Sequence, residues 1–149
     1  MARDVSGTGL LVLIAALVVA TALGLVLRAR AGRVRTGVAT GSPDGWALTG
    51  SVPEGAEQVL LLQLSSPVCT PCRQTAGVLA ELASEEPGVR HVEIDVAERP
   101  EVARALSVLR TPTTIGFDRT GRELLRVSGV PRRAELAAAL APELRGRPA

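Results

Sequence analysis

Residues 59–72 read VLLLQLSSPVCTPC, and the reading of this stretch decides the fold. Val59–Leu64 is a short apolar run, the pattern of a strand buried on both faces. Ser65, Ser66 and Pro67 break it. From Cys72 to about Ser84 the period becomes helical, with Ala76, Leu79, Ala80 and Ala83 at i, i+3, i+4 and i+7. Pro87 and Gly88 end that helix. The two cysteines of the chain, Cys69 and Cys72, therefore flank Thr70 and Pro71 at a strand-to-helix junction. Helix N-termini stabilise anions through unpaired N–H groups and the helix dipole, so Cys69 is expected to be the acidic, exposed nucleophile. Cys72, within the first turn, is close enough to attack a mixed disulfide formed there. Pro71 removes an N–H that would be orphaned and fixes φ.

Downstream, His91–Val96 reads as a second strand, Pro100–Leu106 as a short helix with proline in its first turn, and Thr113–Phe117 as a third strand. Asp118–Gly121 is a turn, Glu123–Val127 a fourth strand, and Pro131 opens a last helix carrying Leu136, Leu140 and Leu144 on one stripe. The order is β-α-β-α-β-β-α. Right-handed crossings make the first three strands parallel, and the hairpin adds an antiparallel edge.

Upstream, residues 28–57 carry Gly, Ser, Pro and scattered charge, with one weakly strand-like patch at Trp46–Leu48. Most of this is expected to be linker. Val5–Leu27 holds no charge. Twenty-three helical residues reach about 34 Å, enough for a hydrocarbon core of about 30 Å. A cleaved signal peptide would have a shorter apolar run followed by a small-residue cleavage site. Here Arg28, Arg30, Arg33 and Arg35 follow instead. The expectation is a retained single-pass anchor with its basic flank over 1–35, a linker over 36–56 and an α/β domain over 57–149. The positive-inside bias places the domain in the cytoplasm, with an extracytoplasmic domain as the alternative.

Composition narrows the function. The chain of 149 residues has a formal net charge of +2, and the excess is local. Residues 1–35 hold five arginines and one acid, and the remainder holds 12 arginines against 14 acids. Aromatics are 1% of the chain, Trp46 and Phe117, which leaves no stacking platform for nucleic acid. Two thiols and one histidine cannot build a four-thiolate or multi-histidine metal centre, and zinc would need a dimer to complete four ligands. No metal and no cofactor beyond a Cys69–Cys72 disulfide is expected.

The blocks SPVCTPC, HVEID and RTPTTIGFDRTG, in this order and spacing across about residues 57–144, resemble the thioredoxin superfamily. The PTT block and the N-terminal anchor also resemble the membrane-tethered TlpA-like oxidoreductases, although the inserts of that group are not evident. The resemblance implies a thioredoxin-like fold, a mixed sheet flanked by helices, behind one transmembrane helix. It implies thiol–disulfide oxidoreductase activity on protein disulfides through Cys69 and Cys72, supported by Thr70 and Pro71. An unidentified thiol or membrane donor would supply electrons. It also implies a cis bond between Thr111 and Pro112, whose backbone pairs with substrate. Three positions depart from the family. Val68 stands where tryptophan is usual, Gln63 replaces the buried aspartate six residues before the first cysteine, and His91 replaces its lysine partner. Gln63 cannot take a proton, which implies a slower, pH-shifted or partner-restricted reaction.

Other readings compete at individual residues. His91 is a polar strand residue on the face of Glu93 and Asp95, or a proton shuttle. Gln63 is a satisfied buried amide. Arg73 either helps hold a thiolate or is solvated, and Arg132 and Arg133 are solvated. For the chain as a whole, the competing function is a non-enzymatic thioredoxin-fold tether that holds a partner at the membrane.

Overall fold

The computed structural model describes residues 7–37, 41 and 43–146. Arg3 and Asp4 before the apolar segment, its first residues Val5 and Ser6, residues 38–40 and 42 of the expected linker, and residues 147–149 lie outside the described residues. The chain divides into two compact units, Met1–Ala31 and Gly32–Ala149.

The first unit is helix α1 (Gly7–Arg30), 24 residues long. Its apolar side chains are exposed within this unit, and by length and composition it can cross a membrane. No polar face interrupts it between Leu10 and Leu27, and Arg28 and Arg30 stand in the last turn, where cations complement the helix dipole.

The second unit is built on strand β2 (Val59–Ser65), every residue of which is buried. Its alternation feeds two cores. Leu60, Leu62 and Leu64 pack with Trp46, Ile94, Val102 and Phe117 on one face. Val59 and Leu61 pack with Leu79, Leu82, Leu136 and Leu140 on the other. Each such leucine removed from water stabilises the fold by about 2 kcal/mol. Gln63 has odd parity, so it faces the second layer, where helix α3 (Thr70–Glu85) lies. That helix starts at Thr70 rather than Cys72. Its inner stripe is Cys72, Thr75, Leu79 and Leu82, while Ala80 of the expected stripe is exposed.

Among the described residues the sheet has five strands, in the order β1 (Val34–Thr36), β5 (Glu123–Ser128), β4 (Thr113–Asp118), β2 and β3 (Val89–Asp95). Strand β3 (Val89–Asp95) is parallel to β2, as expected. Strand β4 (Thr113–Asp118) is antiparallel to β2, which corrects the expectation of three parallel strands. The reason lies in the connection. A parallel return must carry the chain back along the sheet, about 23 Å for seven residues. Helix α4 (Pro100–Ala105) has six residues and rises about 9 Å. Residues 96–112 therefore stay at the end of the sheet where β3 finishes, and β4 starts there, Thr113 opposite Leu64. Strand β5 (Glu123–Ser128) completes the hairpin, and helix α5 (Arg133–Arg145) closes the second layer.

Two pieces of the expected linker are structured. Strand β1 (Val34–Thr36) pairs antiparallel with β5, Val34 opposite Val127. The patch at Trp46–Leu48 is not a strand but part of helix α2 (Gly45–Thr49). Asp44 caps it by accepting the Trp46 N–H at 2.9 Å, and Gly50, at φ 69°, ends it in the left-handed conformation. Trp46 is buried, and its indole N–H donates to the Asp118 carbonyl at 2.8 Å.

Candidate active site

Cys69 and Cys72 form a disulfide, with Cα atoms 5.2 Å apart. Cys69 is the N-cap of α3 in extended conformation, and the Cys72 N–H donates to its sulfur at 3.1 Å. A helix N-terminus aimed at one sulfur is the geometry that favours a thiolate there. Thr70 and Pro71 occupy the first two helical positions, where the missing proline N–H costs nothing. Cys69 is half-buried and Cys72 buried, so Cys69 is the sulfur an incoming disulfide reaches first. Val68, just before it, is 98% exposed.

The Thr111–Pro112 peptide is cis. The β2–β4 register sets this bond at the same end of the sheet as the disulfide. Thr111 is held there by a hydroxyl–hydroxyl contact with Ser66, 3.2 Å, so the loop before the cysteines and the loop before β4 touch.

Beneath the disulfide, Gln63 is fully buried and fully engaged. Its amide nitrogen donates to the Cys72 carbonyl at 3.0 Å and to Glu93 Oε1 at 3.2 Å. Its amide oxygen meets His91 Nε2 at 3.2 Å. Because the amide oxygen can only accept, His91 is the donor, which fixes its Nε2–H tautomer. Burial lowers the His91 pKa, and Glu93 partly opposes that shift. A cleft beside the disulfide is lined by Ser66, Cys69, Cys72, Arg73, Glu93 and Asp95, among others.

The structure thus brings together the expected Cys69, Thr70, Pro71, Cys72, Thr111 and Pro112, with Gln63 and His91 behind them. Arg73 does not reach a sulfur; its guanidinium donates to Thr70 Oγ1 at 3.1 Å. Arg132 and Arg133 make exposed ion pairs with Glu135 and Glu85. Sequence reasoning missed Ser66 and Glu93 as members of the site. The alternation of His91, Glu93 and Asp95 carried the signal for Glu93, but only the register with Gln63 turns that face into an address.

A family model described as Thioredoxin matches residues 50–142. Thioredoxin H5 of Oryza sativa subsp. japonica is 36% identical over 72 residues, 48% of this chain and 53% of that protein. A thioredoxin of Mycolicibacterium smegmatis is 31% identical over 93 residues, covering 60% of this chain and 82% of that protein. Among solved structures, Fasciola hepatica thioredoxin superposes with a TM-score of 0.52 at 27% identity, over 59% of this chain and 84% of that one. The chain spans about half the length of the plant thioredoxins it matches, 53% and 46% of two of them.

Proposed function

The chain belongs to the thioredoxin family, and from that premise we propose that it is a membrane-tethered thiol–disulfide oxidoreductase acting on protein disulfides. The observation that carries this reading is the Cys69–Cys72 disulfide with a helix N–H directed at Cys69. In the reduced protein the Cys69 thiolate attacks a substrate disulfide and releases one substrate thiolate. Cys72 then attacks Cys69 Sγ, releases the second substrate thiolate and re-forms the internal disulfide. The backbone at Thr111 and Pro112 holds the substrate strand. An external thiol or a membrane donor returns two electrons to the pair. Helix α1 supplies the tether, and the arginines after it favour the cytoplasmic side. A reducing thiol pool there makes substrate reduction the favoured direction.

The test is reduction of insulin by the full chain in detergent with dithiothreitol as donor. Turnover is expected, with complete loss in Cys69→Ser and accumulation of a substrate mixed disulfide in Cys72→Ser. Turnover that survives Cys69→Ser overturns the reading of Cys69 as nucleophile, and no turnover in the wild type overturns the oxidoreductase reading and leaves the tether.

A further inference from the structure

Resolution of a mixed disulfide needs one more group. With a substrate sulfur joined to Cys69, Cys72 must lose its thiol proton, because the thiolate is the nucleophile. Gln63 lies against Cys72, but an amide takes no proton. What the amide does is hold a carboxylate. Gln63 and Glu93 are direct partners in the parallel β2–β3 register, so both side chains leave the sheet toward α3. One amide hydrogen goes to the Cys72 carbonyl at 3.0 Å and the other to Glu93 Oε1 at 3.2 Å, while His91 donates to the amide oxygen at 3.2 Å. These three bonds fix how the amide points. Glu93 also lines the cleft that holds Cys69 and Cys72.

We propose that Glu93 is the proton acceptor for Cys72 in the resolving step, positioned by Gln63; this rests on the oxidoreductase reading. The Cys72 S–H proton passes to the Glu93 carboxylate across the cleft, directly or over one water. The Cys72 sulfur bonds to Cys69 Sγ, and the bond between Cys69 and the substrate sulfur breaks. The substrate leaves as a thiolate carrying the electron pair, and the proton on Glu93 goes to it. The cysteine pair ends oxidised and the substrate reduced.

Other charged groups face the same cleft: Asp95 from β3, Glu98 from the turn after it, and Arg73 from α3. Asp95 accepts the Ala97 N–H at 2.8 Å, and Arg73 is turned to Thr70. His91 meets the network from the Gln63 side, and burial lowers its pKa, which favours the neutral imidazole.

The experiment uses the reduced full chain in detergent and an aromatic disulfide, dithio-bis-nitrobenzoate, in a stopped-flow instrument. The coloured thiolate is released twice, first in a bimolecular phase as Cys69 attacks, then in a concentration-independent phase as Cys72 resolves. Between about pH 6.5 and 8.5 the second phase of the wild type is expected to be nearly pH-independent, because the base takes the proton during attack. In Glu93→Gln it should be at least about tenfold slower at neutral pH and rise about tenfold per pH unit, since only preformed thiolate then reacts. The first phase should be unchanged, and Glu93→Asp should restore a flat profile. A flat, fast second phase in Glu93→Gln overturns the proposal. So does steepening that appears in Asp95→Asn or Glu98→Gln instead. Absence of the first phase in the wild type sinks the oxidoreductase reading itself, and the proposal with it.

Discussion

Gln63 and His91 occupy positions where a charged pair would be expensive, and they meet as neutral partners. Burial disfavours the His91 cation, and the Glu93 carboxylate only partly offsets this. The sign of the resulting pH dependence follows. The His91 pKa is lower in the folded chain than in the unfolded one, about 6.5. Below that value the unfolded state binds more protons, so stability present above about pH 6.5 is lost as pH falls through it. The thermal midpoint of the wild type should drop between pH 7.5 and 5.5. His91→Gln should flatten that drop, and an equal drop in the variant would remove His91 as its source. At this scale the sequence was informative where chemistry is local. Cys69 and Cys72 declare themselves by spacing, and Gln63 lies under Cys72 because strand parity sends it toward α3. Glu93 was opaque because its role depends on a register between strands 30 residues apart.

Elements were legible where periodicity alone settles them and misread where tertiary contacts do. Strand β2 and helix α3 follow from hydrophobic pattern. The direction of β4 did not, because strand polarity depends on how far α4 carries the chain, and a local pattern has no direction. The segment at Trp46 reads weakly as strand because its propensity is poor; a side-chain cap and the buried indole make it helical. Gly45 belongs there because a Cβ at that position would run into the Phe117 ring. A domain begun at residue 36 would lose Val34 and Arg35 of β1, which pairs with β5 over Val34–Thr36.

The β4–β5 hairpin is locked by one carboxylate. Asp118 accepts from the Thr120 N–H at 2.9 Å, its hydroxyl at 2.6 Å, the Arg122 N–H at 3.0 Å and the Arg122 guanidinium at 2.9 Å. Burial works to raise its pKa, and these donors together lower it. Asp118→Asn should cost about 2 kcal/mol, read as a lower denaturant midpoint. Asp118 pairs with Val59, at the opposite end of β2 from the cysteines, so the disulfide chemistry of the folded variant should be unaltered. A midpoint within error of the wild type would show that the turn, not the carboxylate, holds the hairpin.

At the scale of the whole molecule, the proposed tether would make the side of the membrane decide what the cysteine pair meets. Helix α1 has an uncharged apolar stretch long enough to span a bilayer, and its basic residues are concentrated at one end. Arg28, Arg30, Arg33 and Arg35 follow within eight residues, whereas before the span Arg3 is offset by Asp4. Arginines close to a span are retained on the cytoplasmic side. In the proposed orientation the domain after them would face a reducing thiol pool, and reduction rather than oxidation would then be the useful direction. A phosphatase that is active only outside the cytoplasmic membrane, fused to the C-terminus, should stay silent, and the fusion should keep its full mass in the membrane fraction. Replacing the four arginines by alanine should raise the signal, because the asymmetry that fixes orientation is gone. Strong phosphatase activity with full mass in the unmodified fusion would invert the topology and with it the favoured direction of electron flow. Activity with a mass loss of about 3 kDa would identify the segment as a cleaved signal instead.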